Sequence, residues 1–181
     1  MITKIPNKKP DSVFIGVDLA IKERSVNDYT AIVSGKVYVI DYHKFIFVDK
    51  IINRRMSFPD SIQVLRILNE EYKSQSMTPT FLIEDVGLQE AWAQQLQEYG
   101  VHAKAVKIGG RSKEMRLQLT SNWVKEGRIL FPKKDAGPLI EQLVGFGVEK
   151  HDDLADAFSL LAIEVLSAPP KTEPEIFVIT Y

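Results

Sequence analysis

The sequence predicts one α/β domain with a mixed central sheet, in which three antiparallel strands come first, parallel strands follow, and helices cover both faces. Two observations lead to this class. Strand-like apolar runs follow one another near the start of the 181-residue chain. Beyond them, short apolar runs alternate with amphipathic helical patterns, which favours parallel strands joined by helices. With 45% hydrophobic and 26% charged residues, the composition suits a single globular core.

We place this domain at residues 12–167, with a flexible leader at residues 1–11 and a proline-containing tail at residues 168–181. The first strand, residues 13–20, is an apolar run that one acid, Asp18, interrupts. Continuous apolar runs of this kind are typical of a central strand that is covered on both faces. We therefore expect Asp18 to lie in the middle of the sheet.

The next two strands are predicted at residues 29–34 and 36–42, with Gly35 between them as a hairpin turn. Another apolar run, residues 45–52, either extends the third strand or forms one of its own. These strands complete the antiparallel part of the sheet.

Alternating helices and strands follow. Apolar residues recur three and four positions apart, as in a helix that packs through one face: Ile62, Leu65, Leu68 and Tyr72. Because Pro59 suits a first helical turn, this helix is predicted over 59–74. The later predictions, in chain order, are a strand at 81–84, a helix at 88–99, a strand at 101–108, a helix at 112–126, a short strand at 129–131, and helices at 136–146 and 152–166.

Several classes of protein are excluded by what the sequence lacks. The chain has no cysteine, so it has neither a disulfide framework nor a thiolate metal site. No apolar run approaches the roughly 20 residues that cross a bilayer, and the N-terminus has no apolar stretch typical of a secretory signal. The sequence therefore indicates a soluble protein of a reducing compartment with no membrane partner.

Acidic residues stand at three sites that a core would normally exclude. Asp18 lies inside the first strand, Glu84 ends a second apolar strand, and Asp152, Asp153 and Asp156 crowd the start of the last helix. Local explanations remain open for each site: an ion pair within the sheet, solvation of a strand end, a helix cap or the helix dipole. Three such sites that converge would instead form an all-oxygen site for a hard divalent cation, Mg²⁺ or Mn²⁺.

Positive charge is concentrated in one segment, residues 104–134. It holds nine basic and two acidic residues, a net charge of +7, whereas the whole chain carries −1. A basic segment beside a carboxylate cluster suits a phosphodiester substrate, although a solvated helix face explains the charge as well. The residues that we expect to contact DNA phosphates are Lys104, Lys107, Arg111, Lys113, Arg116 and Arg128.

Six segments, in this order, resemble the nuclease domain of tailed-phage terminase large subunits, in the RNase H-like (retroviral integrase) superfamily. They are GVDLA (16–20), NDYTAI (27–32), IEDVG (83–87), GGRSKEMR (109–116), GRILFP (127–132) and HDDLADAF (151–158). The resemblance implies an RNase H-like fold and a metal-dependent endonuclease that cuts concatemeric viral DNA during genome packaging. It also implies that Asp18, Glu84, Asp153 and Asp156 are the catalytic residues and bind two Mg²⁺ or Mn²⁺ ions, with Asp152 a weaker candidate.

The resemblance extends to partners and setting. It implies double-stranded DNA as substrate, together with an ATPase motor domain, a portal protein and a small terminase subunit, in the cytoplasm of an infected or lysogenic bacterium. The chain has no Walker A motif, so it contains no motor of its own. Two alternatives stay open at this point, a Holliday-junction resolvase of the same superfamily and a non-catalytic module that clamps DNA or docks on a protein.

Overall fold

The computed structural model describes residues 4–19, 29–84, 89–107, 110, 112–145 and 152–167, without the side chains of residues 89–92. The elements are β1 Ser12–Asp18, β2 Tyr29–Ile40, β3 His43–Arg55, α1 Phe58–Ser74, β4 Pro79–Glu84, α2 Gln89–Glu98, β5 Ala103–Val106, α3 Lys113–Lys125, β6 Ile129–Leu130, α4 Gly137–Val144 and α5 Asp153–Leu166. The helix limits agree with the sequence predictions to within two residues.

Six strands form one mixed sheet in the order β5-β4-β1-β2-β3-β6. The β1–β2 and β2–β3 pairs are antiparallel, whereas β1–β4, β4–β5 and β3–β6 are parallel. This arrangement confirms the predicted fold class, with antiparallel strands first and parallel strands after them.

The predicted hairpin turn at Gly35 is wrong. β2 runs without a break through Gly35, and the turn lies at Asp41 and Tyr42, whose φ angles of 46° and 64° are those of a two-residue hairpin. At Gly35 the strand register shifts instead, because β3 contains one extra residue, Asp49. The Oγ of Ser34 accepts a hydrogen bond from the Lys50 amide (2.9 Å) at this bulge, which keeps the two strands joined.

The two faces of the sheet carry separate apolar cores. Side chains alternate along β1, so Val13, Ile15 and Val17 pack with α1 and α2, whereas the residues between them face α5. Helix α5 is buried along nearly its whole length and packs against β1, β2 and β3. It comes so close that a Cβ on Gly16 would lie 2.0 Å from the carbonyl oxygen of Ala157. A glycine at this position therefore fixes how near α5 lies to the sheet.

Other predictions concern the ends of the domain. Asp11, inside the predicted leader, donates its amide to the Val37 carbonyl (2.8 Å) and accepts the Val39 amide on Oδ2 (2.7 Å), which extends the β1–β2 pairing by one residue. The limits of the domain stay predictions. The predicted tail at 168–181 lies outside the described residues, as does the polar loop that the sequence predicts at 21–28. None of the described helices is long and apolar enough to cross a membrane.

Candidate metal centre

Two of the predicted acids end neighbouring parallel strands. Val17 of β1 pairs with Ile83 of β4, so Asp18 and Glu84 are the next residues on adjacent strands. Because side chains alternate and Val17 and Ile83 both face the α1 core, the two carboxylates point to the opposite face, which α5 covers. Strand register alone therefore places Asp18 beside Glu84.

The other two acids come from the first turn of α5, which starts over the same end of the sheet. Asp153 begins the helix and Asp156 follows one turn later. The pKa of Asp18 is raised from 3.8 to about 7 by burial and by the charges of Asp156, Asp153 and Glu84, against a smaller opposing effect of Lys113. The structure thus brings all four predicted carboxylates together, in a site with surplus negative charge.

Two basic residues of α3 reach into this cluster. Lys113 Nζ lies 2.7 Å from Asp152 Oδ2 and 2.5 Å from Asp156 Oδ2. Arg116 Nη2 lies 3.1 Å from Asp156 Oδ1, and its Nη1 lies 3.7 Å from Glu84 Oε2. Both oxygens of Asp156 therefore face a cation. Buried charges need such partners, since an unpaired charge in a core is costly.

The side chain of Arg116 does not lie where the sequence predicts. It was predicted to contact DNA phosphates from the surface of α3, but it is only 5% exposed and is paired with carboxylates. Lys113 is also paired with carboxylates, but 45% of its side chain is exposed to solvent. A phosphate contact is therefore compatible with the position of Lys113, whereas Arg116 serves the carboxylate cluster.

Two of the remaining predicted DNA contacts, Lys104 and Arg128, have partners away from the carboxylate cluster. Lys104, on β5, is paired with Glu164 near the far end of α5 (2.5 Å). Arg128 precedes β6, at the opposite edge of the sheet, and its Nε donates to the Lys44 carbonyl (3.3 Å). Lys107 is exposed just after β5, and Arg111 lies outside the described residues. Contact of these residues with DNA stays a prediction.

The amide groups at the start of α5 are bound by a residue that the sequence did not single out. Gln142 Oε1, from α4, accepts hydrogen bonds from the amides of Leu154 (2.8 Å) and Ala155 (3.2 Å). Asp152 occupies the cap position but caps none of the described amides with its side chain, which accepts from Lys113 instead. Gln142 therefore leaves the acidic side chains free to face the site. No sequence signal marks it, because the contact joins two helices.

Replacing Gln142 with alanine is expected to destabilise the protein by about 1–2 kcal/mol, the usual cost of losing a helix cap. The neighbouring Glu141→Ala, an exposed position on the same helix, should change stability by less than about 0.5 kcal/mol. Chemical denaturation of the two variants measures the difference. Equal stability of both variants would show that Gln142 does not hold the start of α5.

Asn53 is a second polar residue that the sequence analysis missed. It pairs with Ala31, which in turn pairs with Asp18, so these residues form a row across the sheet on one face. Its Oδ1 is buried and has no hydrogen-bond partner in the part of the chain that the structure describes. Asn53 and Asp18 are brought into one row by the register of three strands, and that register could not be predicted from the sequence.

The residues at this centre suit a divalent cation by their chemistry. The donors are carboxylates, which hard ions such as Mg²⁺ and Mn²⁺ prefer. The raised pKa of Asp18 reflects its burial and the negative charges beside it, and a cation would neutralise those charges. As the side chains stand, no group of three His, Asp or Glu residues among those described is arranged to hold a metal ion. A divalent ion bound by Asp156 would compete with the ion pairs that Asp156 makes with Lys113 and Arg116.

The mixed six-stranded sheet, with antiparallel strands first, parallel strands after them and helices on both faces, is that of an RNase H-like fold. No family model matches the sequence, and no curated protein is significantly similar to it.

Among solved structures, the chain is similar to the large terminase nuclease of the thermophilic phage G20c. The zinc-bound form is 18% identical with a TM-score of 0.59, and the match covers 83% of this chain and 80% of that one. The cobalt-bound form is 17% identical with a TM-score of 0.58, covering 83% and 79%. The magnesium-bound form is 16% identical with a TM-score of 0.57, also covering 83% and 79%. At this level of identity, the likeness shows the fold.

Proposed function

We propose that this protein is a divalent-metal-dependent endodeoxyribonuclease that hydrolyses phosphodiester bonds of double-stranded DNA. The observation that carries the proposal is the convergence of Asp18, Glu84, Asp153 and Asp156 from three separate elements, inside an RNase H-like fold. A protein gains no stability by collecting carboxylates at one point, because like charges repel. A site that binds cations explains why they are collected.

In the proposed mechanism Asp18 and Glu84, on rigid strands, and Asp153 and Asp156, on the buried α5, would hold the metal ions. The chemistry supplied by ions bound there would be a more acidic water and stabilisation of charge on the leaving oxygen. Arg116 keeps the carboxylates of Glu84 and Asp156 in place through its buried guanidinium. Lys113, at the exposed rim, is placed to attract a phosphate of the DNA backbone.

The finer role that we propose is cutting of concatemeric viral DNA during genome packaging, in the cytoplasm of a bacterial host. The resemblance of the sequence motifs and the similarity in fold to a phage large terminase nuclease support this role. The sequence contains no base-reading motif, so we expect little sequence specificity from this chain alone. An ATPase motor, a portal protein and a small terminase subunit would then determine where and when the DNA is cut.

The proposal is tested by incubating the protein with plasmids of unrelated sequence, with Mg²⁺, with Mn²⁺ and with a chelator. We expect smeared products with either metal and intact plasmid with the chelator. Mn²⁺ should support equal or greater cleavage, because it tolerates looser geometry than Mg²⁺. Strong cleavage after exhaustive chelation would contradict the metal mechanism, and one discrete cut shared by the plasmids would contradict the nonspecific one.

A parallel reaction with a synthetic four-way junction separates the remaining alternatives. Equal rates on the junction and on linear duplex support the terminase-like role. Strong preference for the junction would favour a resolvase. Binding of DNA without cleavage under any metal condition would favour the clamping module and overturn the proposed activity.

A further inference from the structure

Lys113 is paired with Asp156, so it would compete with a metal ion for that carboxylate. Its Nζ touches one carboxylate oxygen of Asp156 (2.5 Å) and one of Asp152 (2.7 Å). Arg116 engages the other oxygen of Asp156 (3.1 Å). A divalent ion bound by Asp156 would therefore lie close to two positive charges, and the repulsion favours withdrawal of one of the two basic side chains.

The surroundings of the two side chains decide which one withdraws. Arg116 has 6% of its side chain exposed, and its Nε and Nη1 have no hydrogen-bond partner among the described residues. If it lost Asp156, a buried guanidinium would keep even fewer partners, which is unfavourable. Lys113 is 45% exposed on a flexible stem, so its ammonium can move into water at little cost.

We propose that Lys113 is an exchangeable counter-ion, which holds Asp156 until a divalent ion replaces it and which then binds a phosphate of the DNA backbone. This inference rests on the proposed function. Its consequence is that metal binding and DNA binding assist each other. A phosphate that attracts Lys113 frees Asp156 for the ion, and an ion that displaces Lys113 frees the ammonium for the phosphate. Such coupling is reciprocal, because each ligand must change the affinity of the other by the same factor.

The experiment measures the affinity of the whole chain for Mn²⁺ by calorimetry, with and without a short duplex. Phosphorothioate linkages in the duplex keep its charge and slow its cleavage. Without DNA, Lys113→Met should bind Mn²⁺ about fivefold more tightly than the wild type, or better, because the competing cation is gone. Lys113→Arg should stay close to the wild type, because it retains a cation beside Asp156.

Measurements with the duplex distinguish coupling between Mn²⁺ binding and DNA binding from the simple effect of removing the positive charge of Lys113. Adding the duplex should tighten Mn²⁺ binding by the wild type about fivefold or more, and should have little effect on Lys113→Met. The matched control is Lys125→Met, at the exposed far end of the same helix, which should behave like the wild type with and without DNA. Melting curves of each variant verify that it is folded.

Two outcomes would overturn the inference: Mn²⁺ affinity of Lys113→Met equal to or weaker than that of the wild type, or the same effect of the duplex on both proteins. Asp18→Asn separates this failure from failure of the proposed function. If the wild type binds Mn²⁺ no better than Asp18→Asn does, the metal centre itself is wrong. If the wild type binds Mn²⁺ more tightly than Asp18→Asn does, but Lys113→Met binds it no more tightly than the wild type, the metal centre is supported and the role proposed for Lys113 is wrong.

Discussion

Asp18→Asn is expected to abolish metal-dependent DNA cleavage and, at the same time, to raise the melting temperature of the metal-free protein. The amide has nearly the size of the carboxylate but lacks the charge that holds a cation. We expect activity to fall by more than about 100-fold, since even residues that only support metal ligands contribute about 10–100-fold. Stability should rise because the variant removes one of several carboxylates that repel one another.

The gain in stability should depend on pH in a definite direction. The pKa of Asp18 is about 7 in the folded protein against 3.8 for an unperturbed aspartate. The folded state therefore binds this proton more tightly than the unfolded chain does. The stabilisation of the folded state by this proton is complete below about pH 4 and is lost as the pH rises through about 7. Asparagine has no such proton, so the advantage of the variant should be small near pH 4 and should reach roughly 2–4 kcal/mol above pH 7.

Two measurements check this prediction: plasmid cleavage with Mn²⁺, and urea denaturation in chelator from pH 4 to pH 8. Glu98→Gln, the same chemical change at an exposed site at the end of α2, is the control and should alter neither cleavage nor the pH profile. Full cleavage by Asp18→Asn would refute the metal mechanism. A stability difference that does not vary with pH would refute the raised pKa of Asp18.

The acids themselves were predictable from the sequence because each one interrupts or ends an apolar pattern. Asp18 stands inside a strand-like run, and Glu84 ends another. The end of a strand and the start of a helix are features that periodicity shows. That β1 and β4 are parallel neighbours, which brings Asp18 and Glu84 to one edge of the sheet, was not predicted and is known from the strand pairing.

The ion partners of these acids were not predictable, because they depend on how helices rotate against one another. The basic segment showed a concentration of charge, but it did not show that Arg116 turns inward to Asp156 and Glu84. Helix α3 has no clear apolar face, so its sequence does not show which of its side chains point toward the core. The cap formed by Gln142 and the row that contains Asn53 were hidden for the same reason, since both require positions of elements distant in sequence.

Gly35 shows another limit of sequence interpretation. A glycine between two apolar runs is common in turns, and that frequency led to the wrong hairpin. In the structure this glycine lies inside β2, where a Cβ would meet Ile46 Cγ2 at 2.8 Å and Leu161 Cδ2 at 3.1 Å. A glycine required by close packing and one required by a turn look the same in one sequence. The packing neighbours that distinguish them become visible only after the fold is known.

Gly16→Ala is expected to destabilise the protein by about 2–4 kcal/mol, at or above the upper end of ordinary overpacking. The added Cβ would stand 2.0 Å from the carbonyl oxygen of Ala157 and 3.2 Å from Leu161 Cβ. The first of these is a backbone atom of the buried α5 and cannot turn aside as a side chain does. The whole helix must therefore move away from β1.

The other glycines supply a graded control for this prediction. Gly35→Ala meets only the ends of flexible side chains, so it should cost less than Gly16→Ala. Gly137→Ala meets no described atom within 4 Å and lies in the first turn of α4, so it should be neutral or slightly stabilising. Urea denaturation of the three variants gives the order of stabilities. Equal losses at Gly16 and Gly137 would show that α5 does not lie as close to the sheet as described here.

Gly16→Ala also tests whether the packing of α5 against β1 holds the carboxylates of the metal centre in position. Displacing α5 by even about 1 Å moves Asp153 and Asp156 away from Asp18 and Glu84, and misplacements of that size reduce catalysis by about 100-fold. Gly16→Ala that remains folded should therefore bind Mn²⁺ more weakly than Gly35→Ala and cleave plasmid far more slowly. If it binds and cleaves like the wild type despite its lower stability, the acids of α5 are not held to the sheet by this contact, and the site tolerates more movement than a rigid metal centre allows.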